Sequence, residues 1–182
     1  MKFKRRNPNI TTTTPADAVQ QTLDHLHIAR EDLYTNGRFN EKEFLRRSTP
    51  TITCEKKPYV VAITHPLTTT TAHFTIDKTL KQQKQRWQFA VMVGFYYLIG
   101  IEGKYQDDEK FYLYKGNVSW WPTPTKFANE FAANLLLPEA ELRELLPADA
   151  KSNVISVAKH FNVTPTAAYV RIRRLKLYGR RT

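Results

Sequence analysis

The sequence predicts an α+β fold with a small mixed sheet, a buried central helix and a C-terminal helical hairpin. Three observations predict it. Arg86–Leu98 is a Pro-free run, and apolar residues fill nearly every position from Trp87 to Ile101, with Gly94 interior. A helix apolar on all sides is a buried helix. Short runs of β-branched and aromatic residues lie before and after it, as strands require. Asn153–Leu177 carries two amphipathic helical patterns around a short turn. The central run is shorter than the ~18 residues of a membrane span, so no membrane association is expected.

Bulk composition narrows the classes. A chain of 182 residues suits one domain with a real core. Cys54 is the one cysteine, which excludes an internal disulfide and fits a reducing compartment. The N-terminus is basic, with no apolar signal region after it, so a cytoplasmic protein is expected. The net charge of +11 favours contact with polyanions at low salt. Charge alone does not separate a nucleic-acid binder from a protein that meets an acidic partner.

Residues 1–14 read as a disordered basic arm, and 15–50 as an N-terminal helical region. Pro15 opens a helix with Ala18, Val19, Leu23 and Leu26 at helical spacing. His25 and His27 stand two apart and make a poor metal pair on a helix. Asn36-Gly37 is a turn signal. A second helix is expected over Asn40–Arg47, ending near Pro50. Thr51–Glu55, Tyr59–Thr64 and His73–Ile76 read as strands, with His65-Pro66 closing the second. The tract Thr68–Thr71 is loop or edge. Polar residues Lys78–Gln85 lead into the central helix.

After it come Gly100, Gly103 and an acidic loop, Asp107-Asp108-Glu109. Phe111–Tyr114 is a strand, and Trp120-Trp121-Pro122 closes the sheet region, within a domain over 51–150. Pro124 begins a helix over Thr125–Leu137, with Phe127, Ala128, Phe131, Ala132 and Leu135 on its apolar side. Pro138 starts a short helix through Leu145, and Pro147 breaks it. In 151–182, Val154, Val157, Ala158 and Phe161 form one face of the hairpin. Thr164 is placed to cap its second helix, with Pro165 at the first helical position. Ala168, Ile172 and Leu175 form the second face. There is no internal repeat.

Two stretches carry the functional argument. Residues 91 and 95 stand one turn apart on one face of the central helix. In zinc peptidases such a helix carries His at both places, with Glu just after the first. Here those places hold Val91, Met92 and Phe95. The second stretch is Thr125–Pro138. Its small residues Ala128, Ala132 and Ala133 admit a close helix, and Asn129, if buried, needs a hydrogen bond.

Together the two stretches resemble the ImmA/IrrE family of zincin-like metallopeptidases. That family's first motif is roughly Arg-Phe-Thr-x-Ala-His-Glu-x-Gly-His-Tyr-x-Leu, and Arg86, Ala90, Gly94, Tyr96 and Leu98 match it in register. Its second is roughly Glu-x-x-Ala-Asn-x-Phe-Ala-Ala-x-Leu-Leu-Met-Pro. Ala128, Asn129, Phe131, Ala132, Ala133, Leu135, Leu136 and Pro138 match that one. The resemblance covers about residues 59–177, and it implies a zincin-like domain. It also implies that the chemistry is gone. Val91 and Phe95 replace the histidine ligands, Met92 the general base, and Thr125 the third ligand, a Glu. No catalytic residue, cofactor or metal is expected, since His65, His73, His160 and Cys54 lack ligand-pair spacing.

The expected function is therefore that of a catalytically inactive relative acting as a regulatory binding protein. Active members of the family act on helix-turn-helix repressors, often on mobile elements, so the expected partner is such a regulator or a toxin–antitoxin protein. An apolar cleft is expected near 91–95 and 125–129. Trp87, Tyr96, Trp120, Trp121 and Asn129 are the candidate partner-binding residues. The second reading is a DNA-associated regulator with weak nucleic-acid binding, using Arg171, Arg173, Arg174 and Lys176 on the last helix. The third is an active metallo-endopeptidase with a metal site elsewhere.

Overall fold

Helix α3, Gln82–Tyr96, runs through the apolar core, and the other elements pack around it. The structure, a computed structural model, describes residues 13–49, 51–64, 71–102, 110–115, 124–146 and 153–177. The basic arm before Thr13, Pro50, His65-Pro66, the tract from Thr68 to Thr70, Gly103 and the acidic loop, Trp120-Trp121-Pro122, Pro147 and the C-terminal tail from 178 lie outside these residues.

α1, Pro15–His25, begins where Pro15 fixes the first turn and Thr14 Oγ1 accepts the Asp17 N–H at 3.2 Å. A 3₁₀ turn over Arg30–Leu33 leads to a hairpin of β1, Tyr34–Thr35, and β2, Arg38–Phe39. Its turn residues Asn36 and Gly37 both have positive φ, 51° and 72°. That backbone matches the twist of a tight hairpin and suits Asn-Gly. α2, Glu41–Ser48, is capped by Asn40, whose Oδ1 accepts the Glu43 N–H at 3.1 Å.

This N-terminal region packs on the rest of the chain. α1 lies against α4 (Pro124–Leu136), burying Ala18, Val19 and Leu23. The Tyr34 hydroxyl donates to Leu135 O at 2.7 Å. Arg38 donates to Lys159 O at 3.2 Å and to His160 O. Those carbonyls end α6, Val154–Phe161, so a cation sits at the negative end of a helix.

The main sheet has the order β3-β5-β4-β6, from Ile52–Lys57, Ala72–Asp77, Val60–Thr64 and Lys110–Lys115. β3 and β5 run parallel, while β4 is antiparallel to both β5 and β6, so the sheet is mixed. β3 and β4 are joined by Pro58 and Tyr59 yet do not pair. The chain steps over the end of β5, with Tyr59 at φ 56°. Asp77 holds this step. Its Oδ1 accepts the Tyr59 N–H at 2.9 Å, the Thr79 N–H at 2.9 Å and the Thr79 hydroxyl at 2.7 Å.

Ile52, Ala72, Phe74 and Ile76 are buried on the side of the sheet that meets α3. Phe74, Phe44 and Phe39 surround Phe89 of α3 at centroid distances of 5.9, 5.7 and 6.4 Å. Burying each such ring contributes about 1.5–3 kcal/mol. α3 starts at Gln82 rather than Arg86, because the Lys and Gln residues before Arg86 are themselves good helix formers. It ends in a π-helical turn over Tyr97–Ile101, closed by the Glu102 N–H on Tyr97 O at 3.0 Å.

After α4 come α5, Glu139–Leu145, then α6 and α7, Pro165–Arg174. Asn153 caps α6 through its Oδ1 on the N–H groups of Ile155 and Ser156, at 3.0 and 3.1 Å. Asn162 is left-handed at φ 53°, a conformation Asn tolerates, and Thr164 caps α7. The fold is α+β. Among the described residues no helix is long and apolar enough to cross a membrane.

Candidate functional site

Val91, Met92 and Phe95 lie on the innermost part of α3, each no more than 1% exposed. α4 crosses α3 closely beside them. A Cβ on Gly94 would stand 3.1 Å from Ala128 Cα and 3.1 Å from Phe131 Cβ, so any larger residue would press the helices apart by a few tenths of an ångström. Thr125 falls in the first turn of α4, and its side chain lies outside the described part. The two matched stretches are thus in direct contact.

Among the described residues, positions 91, 92, 93 and 95 do not line the open apolar cleft expected at 91–95. Val91, Met92, Val93 and Phe95 fill the space with side chains of core size, and no solvent reaches them. The expected rim is altered in the same way. Tyr96 is fully buried, near His25 at 6.3 Å between ring centroids, and burial pushes its phenol up to about 12. It offers a partner no surface. Trp87 and Asn129 are half-buried and bound to each other, with the indole N–H 2.9 Å from Asn129 Oδ1. Trp120 and Trp121 lie outside the described residues.

The four cations of the last helix divide. Arg171 is buried and donates from Nε to Leu137 O at 3.1 Å and from a terminal nitrogen to Asn134 Oδ1 at 2.7 Å. It ties α7 to the end of α4, so it is withdrawn from any nucleic-acid face. Arg174 pairs with Glu130 at 3.1 Å while staying half-exposed. Arg173 and Lys176 are exposed.

The scattered His and Cys residues that are described do not converge. Among the described residues no group of three His, Cys, Asp or Glu could hold a metal ion. His160 stacks edge-on against Phe161 at 4.8 Å. Cys54 is half-buried, and burial, followed by the neighbouring Glu41, pushes its thiol up to about 12, which leaves it a poor nucleophile. His65 lies outside the described residues.

Two features escaped the sequence. One is a polar chain on the outer face of β3 and β5. Thr53 Oγ1 is 2.8 Å from His73 Nδ1, and His73 Nε2 is 3.1 Å from Glu55 Oε1. Lys57 Nζ and Thr75 Oγ1 reach the same carboxylate oxygen at 2.6 and 3.1 Å. Hydrogen bonds from Lys57 and then His73 hold the Glu55 carboxyl down at about 2. Strand alternation puts Thr53 and Glu55 on one face, but their meeting with His73 depends on a parallel register that alternation does not encode. The other is a cleft of about 890 Å³ at the hairpin end of the molecule, between β2, α2 and the first turn of α3. Val91 and Phe95 do not line it.

No family model matches the chain, and no curated protein matches it.

Proposed function

We propose that this chain is a catalytically inactive relative of the ImmA/IrrE peptidases. It acts in the cytoplasm as a regulatory protein that binds a helix-turn-helix repressor or toxin–antitoxin partner of a mobile element without cutting it. The observation that carries the reading is the state of three positions. Where the resembled motif has its ligands and base, Val91, Met92 and Phe95 are packed as apolar core. An empty pocket of two His and two Glu would leave buried polar groups without partners. Val, Met and Phe remove that cost, so the scaffold holds without an ion. The close approach of Gly94 to Ala128 supports the same reading, since both residues belong to the motif positions that match.

The partner surface in this reading is the half-buried edge around Trp87 and Asn129. The test has two arms. Metal analysis of the purified full-length protein should find zinc far below one ion per chain, and stoichiometric zinc would overturn the reading. The helix-turn-helix regulator encoded by an adjacent gene should form a complex with the protein and remain intact. Absence of a complex at micromolar concentrations, or cleavage of the regulator, would refute it.

A second reading, a DNA-associated regulator, is favoured by one observation: Arg173 and Lys176 stay exposed at the end of α7. Binding to duplex DNA should then weaken steeply with salt. No binding at low salt would dispose of it.

A further inference from the structure

The cleft at the hairpin end has the size of a small-molecule site, about 300–1,000 Å³. Its charges are unequal. Arg38, Lys42, Lys56 and Arg86 line it, against one carboxyl group, Glu41. Arg38 is committed to the carbonyls that end α6. Lys42 and Lys56 are exposed, and Lys56 Nζ makes one hydrogen bond, to Gln85 Oε1 at 2.9 Å.

Arg86 is the unusual member. Its residue is only 8% exposed. One terminal nitrogen donates to Phe39 O, and the guanidinium carbon stands 5.7 Å over the Phe39 ring. Its Nε is buried with no hydrogen-bond partner. Among the described residues no carboxylate lies within 4.0 Å of it, although Glu41 is near enough to be felt. A buried guanidinium with five donors, so few of them used, and no paired anion is costly unless something else supplies the negative charge. Glu41 supplies it poorly, because burial raises its own pKa despite Arg86 and Lys56 beside it.

We propose that this cleft binds a small organic anion through a phosphate or carboxylate group, held by Arg86 at the base and by Lys42 and Lys56 at the mouth. Phe39 and Leu45 line the same cleft and give the organic part an apolar wall. A guanidinium presents paired donors that match either oxyanion, while a lysine adds a point charge. None of Val91, Met92 and Phe95, whose state carries the proposed function, lines this site.

The full-length protein is titrated separately with inorganic phosphate, succinate and adenosine monophosphate, at fixed ionic strength, by calorimetry and thermal shift. Saturable binding with dissociation constants of about 10 mM or tighter is expected for at least one probe, and the probe preferred identifies the oxyanion. Lys42→Gln with Lys56→Gln, both on the surface, should weaken it by about tenfold or more. Lys78→Gln with Lys84→Gln removes the same charge away from the cleft and should change it by less than about twofold. Glu41→Gln should tighten binding, because it removes the competing carboxylate. The proposal is overturned by the absence of saturable binding to all three probes. It is equally overturned if the two double variants lose affinity alike, or if Glu41→Gln weakens binding.

Discussion

Trp87 donates its indole N–H to Asn129 Oδ1 at 2.9 Å, and that bond joins the N-terminal half of α3 to α4. Both residues are half-buried, so the bond is shielded but not sealed. Trp87→Phe keeps most of the ring volume and leaves the amide oxygen without this donor. Asn129→Ala does the converse. Each change should lower stability by about 0.5–1.5 kcal/mol, and the double variant should cost less than their sum. Urea unfolding of the four proteins checks this. Strict additivity would mean that the bond does not couple the helices.

The contact between Gly94 and Ala128 sets a sharper condition. Ala at position 94 gains about 1 kcal/mol in helix propensity. Its Cβ would also press on Ala128 Cα and on Phe131 at 3.1 Å, where the backbone has little room to give. Gly94→Val adds further atoms and loses most of the propensity gain. Gly94→Ala should therefore be near neutral or mildly destabilising, and Gly94→Val destabilising by about 1–3 kcal/mol more, read as denaturant midpoints. Equal stability of the two variants would contradict the crossing described.

Acid should unfold the sheet end first. Burial pushes the Asp77 carboxyl up, but hydrogen bonds from the Thr79 hydroxyl, the Thr79 N–H and the Tyr59 N–H outweigh it and hold its pKa below the ordinary value. Glu55 is held at about 2. A carboxyl whose folded pKa is depressed stabilises above its unfolded value and loses that contribution as pH falls toward the folded one. Thermal stability should thus drop between about pH 5 and pH 2. Asp77→Asn keeps an acceptor oxygen but not the charge, and it should flatten part of that slope while lowering stability at pH 7. An unchanged slope would remove Asp77 from the account.

Helix ends were legible because their chemistry is local. Thr14-Pro15, Asn40, Asn153 and Thr164-Pro165 each cap a helix at or next to the position their residue types predict. Strand order was not legible. Only two residues separate β3 from β4, yet β5 lies between the strands, and what holds the crossing is Asp77, far along the chain. The burial of Val91, Met92 and Phe95 followed from the run they sit in. The exposure expected for Tyr96 did not, because a helix apolar on every side gives no period from which to choose an outer face. The cleft draws its lining from separated segments of the chain, and no local pattern announces such a meeting.

Arg171 shows why a basic helix cannot be read from charge alone. Its guanidinium reaches Leu137 O and Asn134 Oδ1, groups more than thirty residues away in sequence, and so serves as a bracket between α7 and α4. Arg173 and Lys176 share its charge without its bonds to α4. Arg171→Met should leave one buried and one half-buried acceptor short of a donor and cost about 1–3 kcal/mol. Arg173→Gln with Lys176→Gln should alter stability by no more than about 0.5 kcal/mol. If α7 meets nucleic acid, that surface pair should instead reduce the salt dependence of duplex binding, by a slope of about one for each phosphate the side chains no longer neutralise. Melting temperature and a salt-titrated binding assay on the same variants separate the two roles. A stable Arg171→Met protein with lowered DNA affinity would reverse the assignment and return Arg171 to the exposed, nucleic-acid-facing set.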